Sequence, residues 1–170
     1  PHMSTWRPAN LVETAVAWKE ALSRTDGPTS IILSRQNLDA FVVKELDQLK
    51  MGGYFVSKKN DATVNLIATG SEVGLALEAE KLLTTDGINC NVVSVPCLET
   101  LLSNKNRYNE IFSSKTTNIV IECGHPNSWY KHTQNVIGID CFGESGKGKD
   151  LMDHFGFTPE KITNKIKQMI

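Results

Sequence analysis

Two periodicities alternate along the chain. Over residues 10–24, NLVETAVAWKEALSR, apolar positions recur at helical spacing, placing Leu11, Ala15, Trp18 and Leu22 on one face. Asn10 is the expected N-cap, with Glu13 three positions on as a capping box. The pattern predicts a helix that packs through those four side chains. TDGPTSIILS then reads as a turn running into a short apolar strand that ends at Ser34 and Arg35. The following stretch, QNLDAFVVKELDQLKMGG, is more polar and closes on Gly52 and Gly53, which marks a linker or domain boundary.

Beyond that boundary the alternation is regular. GGYFVSK and VNLIAT read as strands, SEVGLALEAEKLLTTDG as a helix from Ser71 to Gly87, and INCNVVSVP as a strand. NRYNEIFSS is expected to be a short helix, NIVIECG a strand, SWYKHTQ a helical turn or two, and VIGIDCFG a strand. The last segment, TPEKITNKIKQMI, offers Thr158 as N-cap and Pro159 as first helical residue, with Ile162, Ile166 and Ile170 as the packing stripe. Strands alternating with helices predict an α/β fold: a three-layer sandwich around a mostly parallel sheet, preceded by a helix–strand piece of another α/β domain.

Composition narrows the partners. The 170 residues carry 18 basic and 19 acidic side chains, a net charge of -1, so no overall field attracts nucleic acid. No apolar run reaches the roughly 18 to 20 residues of a membrane span, and the start of the chain lacks a signal-peptide layout. Cys90, Cys97, Cys123 and Cys141 are too widely spaced for a zinc pattern and read as reduced, mostly buried thiols. A cytoplasmic protein without nucleic-acid or membrane partners is the expectation. The opening Pro1-His2-Met3 is either a cloning remnant or the interior of a longer chain.

Four places carry candidate chemistry. IATGSEV is a strand, a glycine turn and a helix opening at Ser71 and Glu72; with one glycine and a carboxylate in the first turn, it reads as a capped tight turn rather than an anion site. FGESGKGKD approximates a P-loop up to Lys149, but Asp150 stands where a magnesium-binding hydroxyl is needed. In IVIECGHPNSWYKH, Glu122 is a strand-end carboxylate, His125 a solvated loop histidine, and Lys131 and His132 belong to a helix surface. Arg35 differs from these. It closes an apolar strand beside Ser34 and Gln36, and a planar, permanently charged fork suits phosphate oxygens. An interdomain salt bridge is the equally weighted alternative.

STWRPANLVETAVAWKEAL, DGPTSIILSRQNL, GGYFV, LIATGSEVGLALEA, VVSVPC, and FGES followed by FGFT resemble, in order and spacing, the C-terminal part of transketolases. The resemblance spans essentially the whole chain. It implies a thiamine diphosphate-dependent transferase of the pentose phosphate pathway, which moves a two-carbon ketol unit from ketose phosphates to aldose phosphates with Mg2+ or Ca2+. Residues 1–50 would be the end of the pyrimidine-binding middle domain and residues 53–170 the C-terminal domain. Catalytic, cofactor-binding and metal-binding residues would lie upstream, leaving none here and an inactive piece. Arg35 matches the family's sugar-phosphate contact, with Ser34 and Gln36 as its shell. GKGKD departs from the family's Ala-Pro continuation of FGES. A homodimer is expected. Two other readings remain: a free-standing nucleotide-binding module using GESGKGK, and a non-catalytic domain that supports a dimer or binds a regulatory ligand.

Overall fold

The computed structural model describes residues 2–170; Pro1 lies outside the described residues. Residues from Tyr54 onward build a five-stranded sheet in the order β3-β5-β4-β6-β7, from β3 (Tyr54–Ser57), β4 (Val64–Ala68), β5 (Cys90–Ser94), β6 (Thr117–Ile121) and β7 (Val136–Ile137). All neighbours pair in parallel except β3, which runs antiparallel to β5 at the edge. The strands read as nearly continuous apolar runs because helices cover both faces. On one face Leu66, Val92, Ile119 and Ile121 pack against α3 (Glu72–Thr85) and α7 (Pro159–Lys167). On the other, Ile67, Val93 and Val120 meet Leu101 of α4 (Leu98–Ser103), Ile111 of α5 (Lys105–Ile111) and Trp129. The expected three-layer α/β sandwich is therefore present.

One polar row interrupts the apolar strands. Asn65, Asn91 and Asn118 sit opposite one another on β4, β5 and β6, and their side-chain amides bond across the three strands at 2.8 and 3.1 Å. A one-residue slip of either neighbour would strand a buried amide, so the row holds the register.

The preceding piece comprises β1 (Ser4–Trp6), α1 (Leu11–Ser23), β2 (Thr29–Ile31) and the short α2 (Leu46–Leu49). β1 was not anticipated, and it gives β2 a parallel partner within the chain. The strand also stops three residues sooner than the apolar run suggests. α1 has the expected cap, Asn10 Oδ1 accepting the Glu13 amide at 2.9 Å.

The face that α1 buries is a correction. Leu11 and Leu22 are 83% and 80% exposed and Trp18 is 54% exposed, whereas Glu13, Val16 and Ala17 are buried. The helix has two apolar sides, and the side that docks is the one carrying Glu13. Its carboxylate accepts the Ala9 amide (2.6 Å), the Tyr54 hydroxyl (2.8 Å) and the Ser94 hydroxyl (2.7 Å). Burial raises its pKa. Trp6, Val16, Ala17, Leu49, Tyr54 and Cys97 close around this contact as a separate core. The described residues before Tyr54 thus pack in cis on the larger sheet.

Toward the C-terminus, the 3-10 turn at Pro126–Ser128 reaches only the first residue of SWYKHTQ, that segment itself continues as turns, and VIGIDCFG pairs over two residues alone. α6 (Gly148–His154) was not anticipated. α7 follows the sequence closely: Thr158 Oγ1 accepts the Lys161 amide, Pro159 opens the helix, and Ile162 and Ile166 are fully buried, each contributing about 1.5–3 kcal/mol. Ile170 lies past the helix and is half exposed.

Candidate functional site

Open parallel sheets offer a ligand crevice at the carboxyl edge where strand order reverses. Here that point is β4, flanked by β5 and β6. The turn Thr69-Gly70-Ser71 leaves β4 with Gly70 at φ 59°, a left-handed conformation that suits glycine. Glu72 then opens α3 and Glu122 closes β6, so two carboxylates face the crevice, 1% and 4% exposed.

The crevice is filled from within the chain. Arg7, just after β1, lays its guanidinium between them: Nη1 donates to both Glu122 oxygens at 2.6 Å, and Nη2 to Glu72 Oε2 at 3.2 Å. The Trp129 indole (3.0 Å) and the Gly124 amide (2.7 Å) also donate to Glu122. Burial works against the Arg7 charge, but the two carboxylates outweigh it and raise its pKa. Burial raises the Glu72 pKa, with Arg7 opposing. Burial and Glu72 together push the Cys123 thiol far up.

The arrangement is an ionic clasp. It joins the first strand of the chain to the centre of the larger sheet and places a guanidinium where many α/β proteins place a ligand. Backbone bonds extend it, since Arg7 N donates to Pro96 O (2.8 Å) and Gly70 N to Arg7 O (3.0 Å). Sequence reasoning did not single out Arg7. The available signal was the pair Glu72 and Glu122, two strand-edge carboxylates with no cation near them in sequence.

Arg35 follows residues 32–34, which share a pocket with the Gly70 turn. Ile32 N donates to Trp6 O at 2.8 Å, after which the chain leaves the β1–β2 pairing. Ser34 Oγ accepts the Gln36 amide at 3.0 Å, a local hydroxyl turn that sets the backbone around Arg35. Ser34, Arg35 and Gln36 are all exposed. Arg35 makes no ion pair among the described residues; the salt bridge between the two parts of the chain belongs to Arg7. A pocket of about 140 Å³ joins Ser34, Leu33 and Ile32 to Arg7 and to Gly70–Ser71. LSRQN and ATGSEV, 37 residues apart from Ser34 to Ser71, therefore meet in space.

The remaining candidates stay apart. His125 is an exposed loop residue whose Nδ1 accepts the Asn127 amide. His132 is not on a helix surface: it follows the 3-10 turn, its ring packs among Tyr108, Phe112 and Trp129, and its Nδ1 bonds the Tyr108 hydroxyl at 3.0 Å. Burial, with Lys131 adding to it, lowers its pKa. Residues 143–147 follow no strand, since β7 ends at Ile137, so the strand–loop–helix context of a P-loop is missing around Lys149. All four cysteines are free, and Cys90 is pushed up to about 11 by burial. Among the described residues no group of three or more His, Cys, Asp or Glu could hold a metal ion, and no helix is long and apolar enough to cross a membrane.

Comparison with known proteins adds the lineage. Residues 52–158 match the family model "Transketolase-like TK C-terminal domain". The whole chain aligns with Transketolase 2 of Aliivibrio fischeri at 42% identity, spanning 27% of that protein. Among solved structures, 99% of the chain superposes on 26% of the transketolase of Campylobacter jejuni (TM-score 0.91, 40% identity). It superposes equally on 25% of the Pichia stipitis transketolase in complex with sedoheptulose-7-phosphate (TM-score 0.95, 32% identity). The chain thus spans about a quarter of the length of the relatives it matches.

Proposed function

Because the chain belongs to the transketolase family, we propose that it is the C-terminal part of a longer transketolase, whose activity is transfer of a two-carbon ketol unit between sugar phosphates. In this reading residues 1–50 end the pyrimidine-binding domain and residues 53–170 form the C-terminal domain. The longer protein is a cytoplasmic homodimer using thiamine diphosphate, the electron sink of the reaction, with Mg2+ or Ca2+. The described residues do not fit a metal set: Glu72 and Glu122 are already engaged by Arg7, and no group of three or more His, Cys, Asp or Glu could hold an ion among them. The 170 residues alone should form no sedoheptulose 7-phosphate from xylulose 5-phosphate and ribose 5-phosphate.

The role left to this chain is recognition of the substrate phosphate by Arg35. One observation carries it: an exposed guanidinium with no ion-pair partner among the described residues, next to Ser34, which lines the pocket reaching Gly70 and Ser71. A phosphate there would receive a forked, charge-assisted pair of hydrogen bonds. In the full-length enzyme Arg35→Ala should raise KM for phosphorylated sugars about 10- to 150-fold, the equivalent of roughly 1.5–3 kcal/mol. Unphosphorylated acceptors should change far less. Equal effects on both substrate classes would reject the assignment. A second reading, a domain that supports the dimer or holds a regulatory ligand, draws on a cavity of about 190 Å³ beside the clasp, lined by Thr5, Thr69, Glu99 and Trp129.

A further inference from the structure

The GKGKD stretch, set aside as a nucleotide loop, lies against the Arg35 loop. A side-chain carbon placed on Gly148 would fall 2.5 Å from Gln36 Nε2, so the backbone of Gly148 rests directly on the Gln36 side chain. Gly148 is flanked by Lys147 and Lys149, and Gln36 by Arg35, which brings three cations within side-chain reach of one contact. All three are exposed, and none forms an ion pair or a hydrogen bond among the described residues. Like charges brought near one another repel, and a dianion placed among them would remove that cost. Two carboxylates share the region: Glu144, on the far side of Gly146, and Asp150, in the first turn of α6. Both are farther along the chain from the contact than the lysines that bracket it.

We propose that Lys147 and Lys149 join Arg35 in one composite cationic site for the phosphate monoester of a sugar substrate, so that the C-terminal domain takes part in substrate selection. This rests on the reading of Arg35 as the phosphate contact. Arg35 supplies the forked hydrogen bonds, while the lysines act as mobile point charges that raise the local phosphate concentration and close over it. Gly148 lets the loop approach Gln36 without a side chain intervening.

The test uses the full-length enzyme and three variants: Lys147→Ala/Lys149→Ala, Lys147→Arg/Lys149→Arg, and Arg35→Ala. Steady-state kinetics compare a phosphorylated aldose acceptor with an unphosphorylated aldehyde at low and high ionic strength, with inorganic phosphate as a competing anion. The double alanine variant is expected to lower kcat/KM for the phosphorylated acceptor about 5- to 10-fold at low salt, with the gap closing at high salt. It should also weaken inhibition by inorganic phosphate, while the double arginine variant keeps both properties. If the double alanine variant keeps wild-type discrimination while Arg35→Ala loses it, the composite site is overturned and Arg35 acts alone. If the double alanine variant affects both acceptors equally, the loop acts through structure and the inference fails. If Arg35→Ala changes kcat/KM equally for both acceptors, the phosphate assignment falls and the composite site falls with it.

Discussion

Replacing Glu13 should destabilise the chain more than any substitution on the apolar stripe of the same helix. In Glu13→Ala, three donors lose their acceptor together: the Ala9 amide and the Tyr54 and Ser94 hydroxyls. An unpaired buried amide costs about 1–3 kcal/mol and each lost hydroxyl bond about 1. Removing a carboxylate whose ionised form burial disfavours returns part of that. The net loss is about 2–4 kcal/mol, a large share of a typical folding free energy. With an m-value of about 1–3 kcal/mol/M, the urea midpoint should fall by about 1–2 M.

Glu13→Gln separates geometry from charge. Its carbonyl can accept the Ala9 amide while its amide donates to the two hydroxyls, which rotate to accept. Its cost should stay below about 1 kcal/mol. The pH dependence has a defined sign. Burial raises the folded pKa of Glu13 above the unfolded value of about 4.5, so the folded chain holds a proton that the unfolded chain releases. The cost of burying the ionised form is complete above the folded pKa, and it is relieved as pH falls through that value. Wild type should therefore gain stability relative to Glu13→Gln as the pH is lowered from about 8 to about 5. Urea melts of the three proteins at both pH values measure this. A Glu13→Ala loss below about 1 kcal/mol, or a pH-independent difference between wild type and Glu13→Gln, would refute the reasoning.

Two further outcomes follow from the clasp and the exposed stripe. Arg7→Met leaves Glu72 and Glu122 buried without their cation and should cost about 3–5 kcal/mol in thermal or urea melts. Adding Glu72→Gln and Glu122→Gln should recover part of it, and no recovery would mean that Arg7 acts mainly by packing. The stripe of Leu11, Trp18 and Leu22 should make the 170-residue chain self-associate at micromolar concentration in sedimentation experiments. Trp18→Lys with Leu22→Lys should abolish the association, whereas a wild-type chain that runs as a monomer throughout would contradict it.

The sequence by itself determined the local features whose causes are local. Apolar runs of five residues between capped helices were enough to place β4, β5 and β6. Thr158, Pro159 and the isoleucine spacing located α7 because cap chemistry and a single apolar stripe point the same way. The resemblance carried by LSRQN and ATGSEV likewise needed only the order of residues.

Tertiary structure decided whatever required a choice between equivalent local solutions. α1 offers two apolar sides, and the stripe with the larger side chains is the exposed one, because Tyr54 and Ser94 supply donors that only Glu13 can use. The clasp at Arg7 was hidden because its partners lie 65 and 115 residues away, and no periodicity links an arginine to carboxylates at that separation. His132 was read as a surface residue because the ring that holds it comes from Tyr108, on α5 and 24 residues away. The contact of Gly148 with Gln36 joins segments more than a hundred residues apart, and only the folded chain shows that the lysines beside that glycine stand next to Arg35. Short-range chemistry fixes which elements form, but which face is buried and which charges meet depend on the partners that packing brings to them.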